Sequence, residues 1–209
     1  DTGPTAVGMG AYSPAPVMSE AMGERAMAEI VKPTLKAMRT EGTPFSGILY
    51  AGLMITDKGP RLVEYNVRFG DPEAQVLMMR LKDDLLTLVL GALDQSLDTM
   101  SIRWRPEPAL CVVIASRGYP GSYDKGTVIS GIEQAGAMDS VEVFHAGTVR
   151  DGELLKANGG RVLNVTALGR DIREAQTRAY EAIDLIDWPE GFCRRDIGWR
   201  AVERESEAG

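Results

Sequence analysis

The chain has 209 residues, 44% hydrophobic and 25% charged, the balance of an ordinary globular protein long enough for a real core. Its net charge of −7 argues against general electrostatic attraction to nucleic acid or to an anionic membrane. No apolar run is long enough to span a bilayer, and no secretion signal is visible.

Residues 1–16 read as a Gly/Pro-rich loop pivoting on Gly3, Gly8 and Gly10. A helix is expected from about Ser19, with Met27, Ile30, Val31, Leu35 and Met38 on one apolar stripe and a kink or break at Pro33. Gly47–Thr56 and Leu62–Arg68 read as the two arms of a β-hairpin around Asp57-Lys58-Gly59-Pro60. A second helix starts near Asp83 and Asp84, which complement its dipole, and buries Leu85, Leu88, Val89 and Leu93. The polar stretch 98–108 is the candidate domain boundary. Beyond it Ala109–Ser116, Thr127–Ile132, Val141–His145 and Arg161–Leu168 read as strands. A last helix opens at Asp171, with Glu174 completing a capping box. Its inner face is Ile172, Ala175, Ala179, Ile183 and Ile186, and Pro189 and Gly191 close it. Cys111 sits inside an apolar run and Cys193 lies far off beside Arg194. Their spacing suggests neither a bridge nor a zinc site, so both read as reduced thiols of a cytoplasmic protein.

The segment Leu62–Glu73 carries the most chemistry. Strand alternation puts Glu64, Asn66 and Arg68 on one face and Val63, Tyr65 and Val67 on the other. An acid, an amide and a guanidinium in a row suit an oxygen-ligand magnesium site facing a polyphosphate. The alternative is a solvated edge strand on which Glu64 and Arg68 pair with little energetic consequence. Asp71 and Glu73 follow around Pro72. Gly8-Met9-Gly10 could present N–H groups to an anion, although no Gly-Lys-Ser/Thr follows, and taken alone it reads first as an ordinary surface loop. Asn158-Gly159-Gly160-Arg161 and Arg194-Arg195-Asp196-Ile197-Gly198 combine flexible backbone with arginine forks. They read either as solvated turns or, together, as a phosphate pocket of the second domain. His145 reads as a structural histidine, and Trp104, Trp188 and Trp199 as packing anchors.

Taken in order, Gly8–Pro14, Tyr50–Met54, Glu64–Glu73, Gly118–Gly121, Phe144–Thr148, Asn158–Leu163 and Arg194–Gly198 resemble the phosphoribosylamine–glycine ligase family. This is the glycinamide ribonucleotide synthetase of purine biosynthesis, in the ATP-grasp superfamily. The resemblance implies an α+β chain. Residues 1–100 would be the C-terminal part of the ATP-grasp core, an antiparallel sheet with helices. Residues 101–209 would be a small, mainly-β, substrate-contacting domain with a helix. It further implies ATP-dependent ligation of glycine to 5-phosphoribosylamine through a glycyl phosphate. Glu64 and Asn66 match the family's magnesium or manganese ligands, and Leu53 would border the nucleotide. Arg68 would face the transferring phosphoryl group, with Asp71, Gly8 and Gly10 bordering the glycine and acyl-phosphate pocket. Gly159, Gly160, Arg161 and Arg195 would grip phosphoribosylamine. Where the family's loop reads Gly-Pro-Asn-Thr-Gly-Gly-Met-Gly, this chain has Gly3-Pro4-Thr5-Ala6-Val7-Gly8-Met9-Gly10. That change removes an amide and some backbone freedom. The chain opens on Asp1 directly in this motif, and the expectation is a piece of a longer enzyme whose N-terminal half is its missing partner, inactive alone. Competing readings are another ATP-grasp carboxylate–amine ligase and a non-catalytic module that binds a phosphorylated metabolite.

Overall fold

The computed structural model describes residues 8–208, so the altered stretch Gly3–Val7 lies outside the described residues. In chain order the strands are β1 (Gly10–Ser13), β2 (Tyr50–Thr56), β3 (Gly59–Asn66), β4 (Ala109–Ser116), β5 (Val128–Ile129), β6 (Val141–His145), β7 (Thr148–Asp151), β8 (Leu154–Ala157), β9 (Arg161–Leu168) and β10 (Gly191–Phe192). The helices are α1 (Glu20–Ala26), α2 (Lys32–Thr40), α3 (Glu73–Arg80), α4 (Leu85–Leu93), α5 (Ile132–Gly136), α6 (Ile172–Asp184) and α7 (Trp199–Ala208). The mixture of helices with antiparallel sheets is the α+β class expected.

Contacts gather these elements into two compact units that are interleaved in sequence. One takes the chain up to Ser13, Asp71–Arg80 and everything from Arg105 onward, and the other takes Pro14–Gly70 and Leu81–Trp104. The units therefore do not follow the consecutive division 1–100 and 101–209. β1 pairs in register with β4, and α3 packs over β1, β4 and β9, which brings two early segments into the later unit.

In the first unit β1, β4, β9 and β6 form an antiparallel sheet, with β10 also on β4. β4 is buried from end to end. Its period of two sends Leu110, Val112 and Ile114 to the face of α6, and Ala109 and Cys111 to the face of α3, where they meet Val76. The bounds of β4, β6 and β9 are those the apolar runs predict. β5, β8 and β7 form a separate three-stranded sheet. Asp171 caps α6 through the Glu174 amide (2.7 Å), as expected. Glu174 reaches back one residue further than a capping box requires, accepting from the amide of Arg170 (2.7 Å), while the Ile172 amide is taken by Glu205 of α7 (3.1 Å).

Burial pushes the Cys111 thiol up to about 12, with its neighbours secondary. An unfolded cysteine ionises near about 8.5. The buried, protonated thiol therefore adds stability that is complete below that value and is lost as pH rises toward about 12. Thermal melts between pH 8 and 11 should show native protein losing Tm more steeply than Cys111→Ala; parallel curves would contradict the assignment.

The second unit holds the helical run and the hairpin. Ser19 caps α1 through the Met22 amide (3.3 Å). Pro33 does not break the run. A π-helical turn, Met27–Val31, widens it just before α2, and the Lys32 amide bonds the Met27 carbonyl five residues back. The wider turn carries the chain past a residue that lacks an N–H and would crowd the preceding turn. The Tyr65 hydroxyl ties β3 to this run at the Thr34 hydroxyl (2.9 Å) and the Ile30 carbonyl (3.3 Å). β3 starts at Gly59, earlier than expected, and ends at Asn66, so Arg68 lies past the strand.

Candidate active site

Two groups of side chains, one in each unit, carry the chemistry. In the second unit Gly52 pairs with Glu64 and Tyr50 with Asn66 across the hairpin. A Cβ on Gly52 would stand 3.2 Å from Cγ of Glu64, so the missing side chain gives the glutamate room to lie across the strand. The Asn66 amide donates to Glu64 Oε1 (3.1 Å), and Arg68 Nη2 donates to Asn66 Oδ1 (3.3 Å). Arg68 Nη1 also donates to the Phe69 carbonyl (2.9 Å). The three polar residues are thus one hydrogen-bonded row, even though the strand stops before the third. A β-bulge between Gly52 and Leu53 sets Leu53 opposite Leu62 and outside this row.

Glu64 and Asn66 supply one anionic and one neutral oxygen. That donor set suits a magnesium ion whose remaining positions are filled by phosphate and water. Among the described residues no group of three or more His, Cys, Asp and Glu side chains could hold an ion by itself.

In the first unit Asp71 is the hub. Its Oδ1 accepts from Gln75 Nε2 (3.0 Å) and Asn164 Nδ2 (3.2 Å), and its Oδ2 pairs with Arg161 Nη2 (3.0 Å). Arg161 Nη1 donates to the carbonyls of Asp71 (2.6 Å) and Gly8 (2.9 Å). A bulge creates this meeting. The β4–β9 register slips between Ile114 and Ala115, so that Ala115 faces Arg161 although Ile114 faces Leu163. Without the slip, alternation would send Arg161 to the α6 side with Leu163 and Val165; with it, the side chain joins Asn164 on the α3 side. Gly8 adopts a φ of +76°, and a Cβ there would lie 2.2 Å from Arg161 Nη1. Only glycine allows the loop to sit against the guanidinium. Gly10 is equally crowded, by the Cys111 carbonyl and Ile197.

The four residues expected to grip phosphoribosylamine have separate surroundings. Gly159 packs backbone to backbone on Gly147, and Gly160 lies under Tyr119. Arg161 is committed to Asp71 and Gly8. Arg195 pairs with Asp184 (2.6 Å), stacks 5.4 Å from the Tyr180 ring, and lines a cavity of about 370 Å³ with Cys193 and Trp188. Its neighbour Arg194 turns elsewhere, to a cavity of about 480 Å³ lined by Gly8–Tyr12, Glu73, Asp196 and Gly198–Arg200. There Arg194 makes a two-pronged pair with Asp196 (2.8 and 2.6 Å). That hydrogen bonding raises the guanidinium's pKa and lowers the carboxyl's.

Sequence reasoning passed over Gln75, Asn164 and Arg200, and it named Arg194 only as part of the fork with Arg195. Asn164 carried a usable signal. It is an amide in the middle of an apolar strand, and such a group needs a buried partner.

Residues 109–200 match the family described as phosphoribosylglycinamide synthetase, C domain, and residues 1–74 match its ATP-grasp (A) domain. The chain belongs to the phosphoribosylglycinamide synthetase family. It is 66% identical over 205 residues to a phosphoribosylamine–glycine ligase of Mesorhizobium japonicum, covering 98% of this chain and 48% of that one. The crystal structure of the Thermotoga maritima phosphoribosylamine–glycine ligase superposes with a TM-score of 0.82 at 32% identity, over 94% of this chain and 48% of the other. The biotin carboxylase domain of the Hydrogenobacter thermophilus 2-oxoglutarate carboxylase shares the fold alone, with a TM-score of 0.64 and 15% identity over 90% of this chain and 40% of that one. The chain thus spans about half the length of the family members it matches.

Proposed function

We propose that this chain is part of a ligase that joins glycine to 5-phosphoribosylamine at the expense of ATP, giving glycinamide ribonucleotide, ADP and phosphate. The observation that carries the reading is the hydrogen-bonded row Glu64–Asn66–Arg68 in a chain of this family. A glycine carboxylate oxygen attacks the γ-phosphorus of ATP and ADP leaves. The amine of phosphoribosylamine then attacks the acyl carbon, phosphate leaves, and the amine gives up a proton as the amide forms. Glu64 and Asn66 would hold magnesium, or manganese, which when bound neutralises phosphate charge. Arg68 adds a fixed cation beside them for the phosphoryl group in transit. Asp71, held by Arg161 beside the Gly8 carbonyl, borders the glycine and acyl-phosphate pocket. The cavity of about 480 Å³, with Arg194 and Arg200 in its lining, would take the phosphorylated sugar. Residues up to about 100, matched in part by the ATP-grasp domain, would serve nucleotide and metal, and residues beyond it would contribute the arginines for the phosphorylated amine. The free thiols of Cys111 and Cys193 support a cytoplasmic location, and the remaining half of the enzyme is the partner required.

Glu64→Ala in the completed enzyme tests the metal assignment. Titrating nucleotide with and without magnesium should show metal-dependent binding lost by at least about 10-fold. Binding that stays metal-dependent and undiminished would remove Glu64 from the metal site, and undiminished binding with no magnesium dependence would favour a non-catalytic binding module.

A further inference from the structure

We infer that Gln75 and Asn164 are positioning residues which fix the Asp71 carboxylate for the ligation proposed above; the inference rests on that reading. Both donate to the same oxygen, Oδ1, at 3.0 and 3.2 Å, while Arg161 holds Oδ2 at 3.0 Å. The carboxylate is gripped at both oxygens and cannot turn about its own axis without breaking these bonds. Its side chain remains 41% exposed, so one edge is open while the other is locked from the interior.

Stability does not explain the two amides. Asn164 lies in β9, 1% exposed, between the core residues Leu163 and Val165. Its Oδ1 is buried and finds no hydrogen-bond partner among the described residues, and the same holds for Oε1 of Gln75. Each amide therefore makes its bond to Asp71 and leaves a buried acceptor unpaired, which an apolar side chain of similar size would avoid. Nor can the amides be reversed, because that would set their oxygens against the oxygen of the Asp71 side chain. Two amides that each leave a buried acceptor unpaired among the described residues and share one partner, Asp71, are what a pre-organised site requires.

The test uses a full-length chimera: the Mesorhizobium japonicum ligase with these 209 residues in place of its homologous half. Gln75→Met and Asn164→Leu keep the volume and remove the donors. Both should fold, with Tm unchanged or higher, while kcat for glycine-dependent ADP release falls about 10- to 100-fold and KM for ATP stays the same. In an Asp71→Asn background the same changes should cost nothing more, because their shared target is gone. Unchanged kcat in folded Gln75→Met and Asn164→Leu, or losses that simply add to that of Asp71→Asn, would overturn the inference and leave the ligase reading standing. An unmodified chimera that releases no ADP would instead sink the reading, and the inference with it.

Discussion

Arg161→Met is expected to destabilise the first unit by about 2–4 kcal/mol, a Tm fall of roughly 5–10 °C, and to abolish ligation in the completed enzyme. The guanidinium bonds the carbonyls of Gly8 and Asp71 and pairs with the Asp71 carboxylate. Methionine would fill the space and leave all three acceptors without that donor. At 26% side-chain exposure the ion pair is partly screened, so the value expected is below that of a fully buried pair. Gly8→Ala attacks the same joint from the other side. Its Cβ would collide with Nη1, at a φ that disfavours any side chain. The two changes should therefore be strongly non-additive, the double variant melting within about 1 kcal/mol of the worse single one. Independent, summing losses measured by thermal or urea melts would show that Gly8 and Arg161 do not act as one joint.

The second large effect concerns the unit made of Pro14–Gly70 and Leu81–Trp104. Of the buried apolar side chains among the described residues, only Ala26 and Pro60 belong to it. Leu86, Leu90 and Leu93 of α4 are 65%, 49% and 70% exposed, and Val63 and Val67 in and after β3 are 67% and 71% exposed. Each such side chain gains about 1.5–3 kcal/mol when fully covered, and this unit collects almost none of that gain. Hydrogen exchange on the isolated chain should show β4 and β9 as its most protected segments, with α4 and the β2–β3 hairpin exchanging at least about 100-fold faster. Comparable protection in both units would mean that the second has a core of its own and needs no covering chain.

How much of this was legible in the sequence depends on which physical term fixed each feature. β4, β6 and β9 are continuous apolar runs, and α6 has both a cap and a clean stripe; hydrophobic burial decided them, and it is visible in one dimension. Gly10–Ser13 read as a loop because glycine and proline surround it. It is a strand because β4 offers its edge, a tertiary cause with no local signal. The short pieces α5, β7 and β8 escaped for a similar reason, being too brief for any period to show. The row Glu64–Asn66–Arg68 was readable from alternation, and the structure gives it hydrogen bonds. The family resemblance makes Arg161 a substrate grip, and the β9 bulge, which no residue type announces, sets it against Asp71. Arg194 and Arg195 are indistinguishable as letters, yet one faces the Gly8–Tyr12 cavity and the other Asp184.

The central claim is that these residues are the metal-binding and amine-binding part of a glycine-ligating enzyme completed by another stretch of chain. Glycine-dependent ADP release, followed with 5-phosphoribosylamine present, tests it most directly. The 209 residues alone should release no ADP above background, and mixing them with the N-terminal half of a family member should restore turnover that requires both glycine and magnesium. Robust ligation by the isolated chain, or a mixture that stays silent although both halves are folded and associated, would contradict the account.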